Sequence, residues 1–167
     1  TLAGNNLLAL LNDILDLTKV EAGNLLLEHV TFNVVDLTHD CMALMTPTAK
    51  AKGLKLITVV ATELDTWISG DPLRYQQVLT NLLSNAIKFS VVNSPVEIDV
   101  TFTESDVSIN VRDQGKGMSS QQVSKAFDRF YRADMSNTSM PGLGLGLSIA
   151  REIIEAHGGS IRIDSSP

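Results

Sequence analysis

Residues 71–90 read DPLRYQQVLTNLLSNAIKFS, and their pattern predicts a helix around which the rest of the chain is organised. Asp71 followed by Pro72 is typical of a helix start, because an aspartate side chain can cap free amides and proline suits the first turn. At about 100° per residue, one broad face of this helix is apolar. That face comprises Tyr75, Val78, Leu79, Leu82, Leu83, Ala86 and Ile87.

The other side of the predicted helix carries a narrow polar stripe. This polar stripe consists of Arg74, Gln77, Asn81, Asn85 and Lys88. A stripe of this kind can simply be a solvated helix face. Two features favour binding instead: two asparagines, mediocre helix formers, stand four residues apart, and no carboxylate follows Asp71 in the helix. Neutral amides beside arginine and lysine suit phosphate and a phosphate-bound Mg²⁺.

The composition predicts one globular domain with a short appendage. The chain has 167 residues, of which 44% are hydrophobic, and a net charge of −6. This charge argues against broad nucleic-acid binding. The single cysteine, Cys41, excludes an internal disulfide, fits a reducing compartment and shares an apolar helical pattern with Leu37 and Leu44, which predicts core packing. We see no signal peptide or run of membrane-spanning length, and therefore expect this piece to be cytoplasmic and without membrane contact, although a longer parent could be membrane-anchored.

The N-terminal stretch, residues 1–22, predicts a helix that needs partners. One leucine-rich seam runs through Leu7, Leu10, Ile14 and Leu17, and a second through Leu8, Leu11 and Leu15. A helix with two seams usually belongs in a bundle, so the remaining chain, another chain or a missing hairpin partner could cover it. The sequence LLLEHVTF, residues 25–32, then predicts a strand.

The rest of the chain mixes helix and strand patterns without regular βαβ alternation. Asn33 and Asp36 resemble a capping box that opens a helix over residues 34–52. Strands are predicted at 54–60, 66–69, 96–102, 107–111 and 160–164, with the third and fourth forming an antiparallel hairpin. Helices are predicted near 120–127 and over 145–157. This pattern favours an α+β fold: a two-layer sandwich with helices on one face of a mixed, mostly antiparallel sheet.

The stretch RDQGKGM, residues 112–118, directly follows a predicted strand. Its glycines, Gly115 and Gly117, let a backbone or ligand approach closely. Asp113 stands at the strand end, where a buried carboxylate can accept a hydrogen bond from an exocyclic amine such as that of adenine. The alternative is an ordinary turn, because Asp-x-Gly sequences are common in turns.

The stretch FDRFYRAD, residues 127–134, combines three aromatic residues with a following arginine. Phe127, Phe130 and Tyr131 could simply anchor a loop to the core. Arg132 could instead reach a terminal phosphate, because guanidinium matches phosphate geometry.

The stretch PGLGLGLSI, residues 141–149, alternates glycine with leucine and leads into a helix. Backbone amides at such a helix start bind phosphate oxygens. The spacing of Gly142, Gly144 and Gly146 excludes a P-loop and misses the dinucleotide-binding pattern. A flexible hinge is the alternative, and it is compatible with a lid that moves.

Taken together, these stretches resemble the motifs of sensor histidine kinases. NLLSNAIKFS (81–90) resembles the N box, DQGKG (113–117) the first glycine box, FDRFYR (127–132) the F box and GLGLGLSI (142–149) the second glycine box. LLNDILDLTKVEAG (10–23) resembles the end of the dimerisation helix in hybrid-type members. The resemblance implies the Bergerat ATP-binding fold for residues 23–167, preceded by the end of a dimerisation helix at 1–22. It also implies a glycine-rich turn and a further strand after Asp164, beyond the residues of this sequence.

The resemblance also implies roles for individual residues. Asn85 would be the Mg²⁺ ligand, Asn81 and Lys88 would lie against the phosphates, and Asp113 would read the adenine amine. Arg132 and the glycine loop would hold the triphosphate beneath a lid spanning about residues 119–141. The implied ATP-binding set is Asn81, Asn85, Lys88, Asp113, Gly115, Gly117, Met118, Phe130, Tyr131, Arg132, Gly142, Leu143, Gly144, Leu145, Gly146 and Leu147, of which Asn81, Asn85, Lys88 and Arg132 would be catalytic.

The residue at position 81 distinguishes two groups among the proteins that share the Bergerat ATP-binding fold. Relatives that hydrolyse ATP resemble one another in placing a glutamate there, whereas an amide cannot act as a general base. The resemblance therefore implies that the γ-phosphate is transferred to a histidine on a dimerisation hairpin of the same protein and then to a receiver-domain aspartate. It also implies that the intact protein is a homodimer. The family's phosphoacceptor motif, a histidine followed by an acidic residue and then by Arg-Thr-Pro or a similar sequence, is absent here. His39-Asp40 has the first two residues but not the Arg-Thr-Pro that should follow. His29 fits a strand edge, and His157 fits a helix C-terminus. A Bergerat-fold ATPase and a docking module that does not use nucleotide are the alternatives.

Overall fold

The computed structural model describes residues 26–60, 66–132 and 143–167. The predicted N-terminal helix lies outside the described residues. The chain divides into two compact units. The larger unit comprises Glu28–Gly117 with Pro167, and the smaller unit comprises Thr1–Leu27 and Met118–Ser166.

The larger unit contains the two longest described helices. Helix α1 spans Val34–Ala51, and Asn33 caps it by accepting from the amides of Val35 and Asp36 at 2.9 and 3.2 Å. Helix α2 spans Pro72–Phe89. Its N-cap is Asp71, whose carboxylate accepts from the amide of Arg74 at 3.0 Å. Both helices therefore begin where their capping residues predicted, because a side-chain oxygen satisfies amides that have no partner within the helix.

Five strands of the larger unit form two sheets. Strands β1 (Val30–Asn33) and β3 (Trp67–Gly70) pair antiparallel. Strand β4 (Pro95–Phe102) lies between β2 (Lys55–Val60), to which it runs parallel, and β5 (Val107–Arg112), to which it runs antiparallel. The predicted α+β fold with helices on a mixed sheet is confirmed, and among the described residues its strands group into two sheets instead of one. The β2–β4 pair is parallel because β3 and α2 intervene as a crossover, whereas a short turn joins β4 to β5.

The core of the larger unit lies between α1, α2 and one face of the three-stranded sheet. Along β4 the buried residues alternate with partly or fully exposed ones, so helices cover one face and the other remains polar. The fully or nearly fully buried apolar residues are Val34, Cys41, Ala49, Leu54, Leu79, Leu83, Ala86, Ile87, Val96, Ile98 and Val100. Core packing of Cys41 is confirmed. Leu44 was wrongly predicted beside it and is 61% exposed, because the buried line of α1 runs through Thr38 and Ala49 instead.

The smaller unit contains two helices among its described residues. Helix α3 spans Ser120–Lys125 and begins with a capping box between Ser119 and Gln122. Helix α4 spans Gly146–Ala156 and buries Ile149, Ala150 and Ile153. His157 lies at the C-terminal end of α4, as predicted, where it occupies the C-cap position with Nδ1 2.8 Å from the carbonyl oxygen of Ile153. None of the helices in the described ranges is long and apolar enough to cross a membrane.

The strand predicted at residues 160–164 is wrong. The segment alternates between exposed and half-buried residues, yet it pairs with no strand among the described residues. Alternation indicates which face of an extended segment is sheltered. A strand also requires a neighbour with matching amides and carbonyls, and the pattern contains no information about that neighbour.

Candidate functional site

The polar stripe of α2 is sheltered from solvent rather than fully solvated. All five of its side chains, Arg74, Gln77, Asn81, Asn85 and Lys88, are half-buried. At the N-terminal end, Nη1 of Arg74 donates to Oε1 of Gln77 at 2.6 Å. At the other end, the ammonium of Lys88 lies 5.0 Å from the ring centre of Phe89. The stripe thus offers amides and cations in surroundings where electrostatic interactions are stronger than in bulk water.

The turn after β5 is fastened to the C-terminal end of α2. Ser90 and Gly115 form an isolated antiparallel bridge, and the amide of Val91 donates to the carbonyl of Gln114 at 3.1 Å. A Cβ atom on Gly115 would lie 2.9 Å from the carbonyl oxygen of Phe89, so only glycine permits this approach. The structure therefore brings this turn to the end of the helix that carries Asn85 and Lys88.

Asp113 shapes this turn with its own side chain. Its Oδ1 accepts from the amide of Gly115 at 2.8 Å, which is the turn that an Asp-x-Gly sequence predicts. The carboxylate is exposed, not buried as the sequence analysis supposed, because it stands one residue beyond the end of β5. Gly117 follows with φ of +67°, a conformation that favours glycine. The turn thereby fixes the direction in which the Asp113 carboxylate leaves the strand end.

In the smaller unit, the F-box stretch and the glycine loop are in direct contact. The amide of Phe130 donates to the carbonyl of Gly144 at 3.1 Å. Gly144 has φ of +74°, and a Cβ atom there would lie 2.5 Å from the carbonyl oxygen of Tyr131. Phe130 itself has φ of +61° and is 60% exposed, so it does not anchor the loop to a core. Backbone strain at a non-glycine residue is typical of functional sites.

Helix α4 begins without a capping side chain. Leu145 occupies the N-cap position, and the first turn of α4 contains no acidic residue. Ser148 directs its hydroxyl to the carbonyl of Leu145 at 2.8 Å. A helix start whose first turn carries no acidic residue favours an anion through the helix dipole. Gly142 lies outside the described residues, and Arg132 is half-buried.

Two basic residues that the sequence motifs did not single out have defined partners. In the smaller unit, Nη2 of Arg129 lies 2.7 Å from Oε1 of Glu152 on α4, so this arginine of FDRFYR ties its segment to the helix. In the larger unit, the ammonium of Lys52 donates to the carbonyls of Ile87 and Lys88 at 2.8 and 2.7 Å. Neither partner could be read from the sequence, because both contacts join residues far apart in the chain.

The predicted site residues fall into two groups, one in each unit. The larger unit contains Asn81, Asn85, Lys88, Asp113, Gly115 and Gly117. The smaller unit contains Met118, whose amide donates to Oγ of Ser165 at 3.0 Å, and the F-box and glycine-loop residues Phe130, Tyr131, Arg132, Leu143, Gly144, Leu145, Gly146 and Leu147.

Comparisons with known proteins identify a family. Residues 70–167 match the family described as histidine kinase-, DNA gyrase B- and HSP90-like ATPases. The chain is 44% identical to the sensor protein GacS of Pseudomonas syringae pv. syringae, over 99% of this chain and 19% of that protein. It is 36% identical to the signal transduction histidine-protein kinase BarA of Escherichia coli K12, over 99% of this chain and 18% of that protein. The chain thus spans less than a fifth of these relatives.

Solved structures give the same family. Full-length ShkA in complex with AMPPNP superimposes with a TM-score of 0.82 at 28% identity, over 98% of this chain and 35% of that one. The catalytic domain of the histidine kinase ThkA superimposes with a TM-score of 0.71 at 29% identity, over 81% and 87% of the two chains. The chain therefore belongs to the histidine kinase-, DNA gyrase B- and HSP90-like ATPase family, and over nearly its whole length it is similar to sensor histidine kinases.

Proposed function

We propose that this chain binds Mg-ATP and that the protein containing it transfers the γ-phosphate to a histidine of a separate helical hairpin. From that histidine the phosphate would pass to a receiver-domain aspartate. The observation that supports the proposal is the fastening of the Asp113 turn to the end of α2 by a hydrogen bond and a β-bridge, because the carboxylate that we propose to read adenine and the polar stripe are then joined through the same helix end. A nucleotide needs both kinds of group at once.

In this proposal each group has a separate task. The carboxylate of Asp113 accepts a hydrogen bond from the adenine amine, and its direction is set by the amide of Gly115. Asn81 and Lys88 contact the phosphates. The start of α4 and Arg132 contribute amides and a guanidinium to the phosphate chain, with Phe130 and Tyr131 beside the glycine loop.

Mg²⁺ fits the residues that are present. Among the described residues, no group of three or more histidine, cysteine or acidic side chains could hold a metal ion alone. An ion that arrives on ATP phosphates needs few oxygen ligands from the protein, and the half-buried amide of Asn85 can supply one. When bound, the ion neutralises charge on the phosphate oxygens.

The amide at position 81 determines which acceptor is favoured. Phosphoryl transfer depends mainly on positioning and charge stabilisation, and hydrolysis additionally requires a group that orients or activates water. Asn81 cannot take a proton from water. The phosphoryl group therefore stays on ATP until the hairpin presents an imidazole nitrogen. A P–N bond to that nitrogen then forms, and the P–O bond to ADP breaks.

A calorimetric titration with a non-hydrolysable ATP analogue, with and without Mg²⁺, tests the binding step. We expect saturable binding to the 167-residue chain, weakened roughly tenfold or more in Asp113→Asn, because the amide presents a donor where the adenine amine needs an acceptor. Asp106→Asn, in the exposed β4–β5 turn, is the matched control. Asn85→Ala should remove the strengthening by Mg²⁺. Absence of binding by the wild type, or equal binding by Asp113→Asn, would overturn the proposal.

Incubation with labelled ATP tests the transfer step. The chain alone should acquire no stable label, because His29, His39 and His157 lack the phosphoacceptor context. Label on a separately supplied phosphoacceptor hairpin is the expected positive result. Stable label on one of the three histidines would contradict this assignment, and rapid ATP hydrolysis would favour the ATPase alternative.

A further inference from the structure

Lys52 joins the end of α1 to the end of α2. It is the C-cap residue of α1, and its half-buried side chain reaches across to the last turn of α2. There its ammonium donates to the carbonyl of Ile87 at 2.8 Å and to that of Lys88 at 2.7 Å. One cation therefore binds two consecutive carbonyls of the helix that carries the polar stripe.

These carbonyls are suited to a cation. The last carbonyls of a helix have no amide partner within the helix and form the negative end of its dipole. The amide of Val91, which could have continued the helix to Ile87, donates to Gln114 instead. Hydrogen bonds from a charged donor are stronger than those between neutral groups. Lys52 thus holds the helix end in the place where the chain leaves for the next strand.

Three further contacts hold the end of α2 against the turns at Gly53 and Gly115, and we call this region the joint. Gly115 presses against the carbonyl of Phe89. Ser90 forms a bridge with the same glycine. On the side of Lys52, a Cβ atom on Gly53 would lie 2.7 Å from Oδ1 of Asn93, so the turns that follow α1 and α2 are also packed together. The position of the Asp113 turn relative to Lys88 consequently depends on how this joint is held.

We propose that Lys52 is a positioning residue for nucleotide binding. By binding the main-chain carbonyls at the end of α2, it fixes the backbone of Lys88 next to the Asp113 turn. The inference rests on the proposed function of that turn and helix. Lys52 need not contact the nucleotide, because its ammonium binds main-chain carbonyls of α2. Replacing Lys52 should therefore weaken nucleotide binding even under conditions in which the variant remains folded.

The test compares Lys52→Met with Lys52→Arg. Methionine keeps the apolar stem and removes the cation, whereas arginine restores donors to the two carbonyls. We expect Lys52→Met to raise the Kd for the Mg-bound ATP analogue roughly tenfold, and Lys52→Arg to lie within about threefold of the wild type. Lys50→Met, at an exposed position two residues earlier, is the matched control and should bind as the wild type does. All titrations are made at a temperature where circular dichroism shows each variant folded.

Amide hydrogen exchange at Val91 supplies a second readout that needs no nucleotide. Exchange should accelerate in Lys52→Met, because the Val91–Gln114 hydrogen bond depends on the joint, and should be restored in Lys52→Arg. If Lys52→Met does not fold, Lys52→Gln takes its place in both measurements.

The outcomes separate this inference from the proposed function. Unchanged affinity and unchanged exchange in a folded Lys52 variant would overturn the positioning role while leaving nucleotide binding intact. A lower melting temperature with unchanged affinity would make Lys52 merely structural and would also overturn it. Absence of nucleotide binding by the wild type would overturn the proposed function and the nucleotide role of Lys52 with it, while exchange at Val91 would still decide whether Lys52 holds the joint.

Discussion

The hydroxyl oxygens of Thr38 and Tyr75 lie 2.6 Å apart and join α1 to α2 inside the core of the larger unit. Thr38 is fully buried, and its Oγ1 also lies 2.7 Å from the carbonyl of Val34. If Thr38 donates to that carbonyl, the phenol of Tyr75 must donate to Thr38. One buried polar chain thus connects the two helices without an unsatisfied hydroxyl.

Removing the phenol should destabilise the larger unit modestly. Tyr75→Phe removes one buried hydrogen bond but leaves Thr38 with its Val34 partner, so we expect a loss of about 1 kcal/mol in the free energy of unfolding. Urea denaturation monitored by circular dichroism measures this loss. Thr101→Val, whose hydroxyl is exposed on β4, serves as the control. Equal stability of Tyr75→Phe and the wild type would show that the buried bond contributes nothing net.

Alkaline pH should destabilise the protein through the buried Cys41 and the partly buried Tyr75. Burial, reinforced by the charge of Asp40, raises the pKa of Cys41 from 9.0 to about 11. Burial raises the pKa of Tyr75 from 10.0 to about 12 despite its hydrogen bond with Thr38. A raised pKa in the folded state means that each contribution is complete below the unfolded pKa and is lost as pH rises through the folded one. Unfolding free energy should therefore fall from about pH 9 upward, and more gently in Cys41→Ala measured relative to its own neutral value. A flat profile up to pH 11 in the wild type would contradict this.

Acidic pH should act through the cap of α2. Burial favours a higher pKa for Asp71, but hydrogen bonds from the amides of Arg74 and Glu28 and the charge of Arg74 outweigh it and hold the pKa below 3.8. Because this folded-state pKa is depressed, the stabilisation is present above the unfolded value and is lost as pH falls through the folded one. Asp71→Ala should cost about 1–2 kcal/mol at neutral pH and flatten the acid limb of the stability profile.

Thermal unfolding between pH 2 and 7 checks the role of Asp71. Asp36→Asn, an exposed carboxylate in the first turn of α1, is the control because it removes a charge but not a main-chain cap. An acid limb in Asp71→Ala as steep as that of the wild type would assign the pH dependence to other carboxylates.

Two glycines with the same backbone conformation should respond differently to alanine. Gly144 and Gly158 have φ of +74° and +78°. A Cβ atom at Gly144 would collide with the carbonyls of Tyr131 and Phe130, whereas nothing lies within 4 Å of one at Gly158. Gly158→Ala should therefore cost only the backbone strain, about 1–2 kcal/mol. Gly144→Ala should also break the Phe130–Gly144 hydrogen bond and weaken binding of the ATP analogue.

Parallel melting curves and titrations of the two alanine variants make this comparison. Equal affinity for the ATP analogue in both variants would remove the glycine loop from the proposed binding site. Equal melting temperatures would indicate that the chain at Tyr131 moves aside without cost.

The elements that could be predicted are those whose signals are local. Helix α2 begins at Pro72 because Asp71 caps it, and the β4–β5 hairpin follows from alternation on both sides of a short turn. The exposure of Leu44 could not be predicted, because its spacing from Cys41 fits the core face as well as that of Ala49 does. The burial of Thr38, a polar residue, marks the true face of α1 and appears only when Tyr75 is brought to it.

The candidate site was predictable to the extent that each motif is contiguous. The Asp113 turn and the Phe130–Gly144 contact contain residues that the motifs had already identified. Lys52 was not predictable, since its partners are main-chain carbonyls and leave no trace in residue type. The strand expected at 160–164 failed for the related reason that pairing depends on a partner elsewhere in the chain.

The parallel ladder between β2 and β4 has a consequence for the order of folding. Residues 61–94, which include all of α2, form the loop that this ladder closes. Loop closure costs chain entropy before any contact compensates for it, whereas the β4–β5 hairpin forms between neighbouring residues. We therefore expect the hairpin to form early and α2 to dock only when β2 joins it. The surface that carries the polar stripe would then form late in folding. A newly made chain would therefore gain the ability to bind its ligand only when α2 docks.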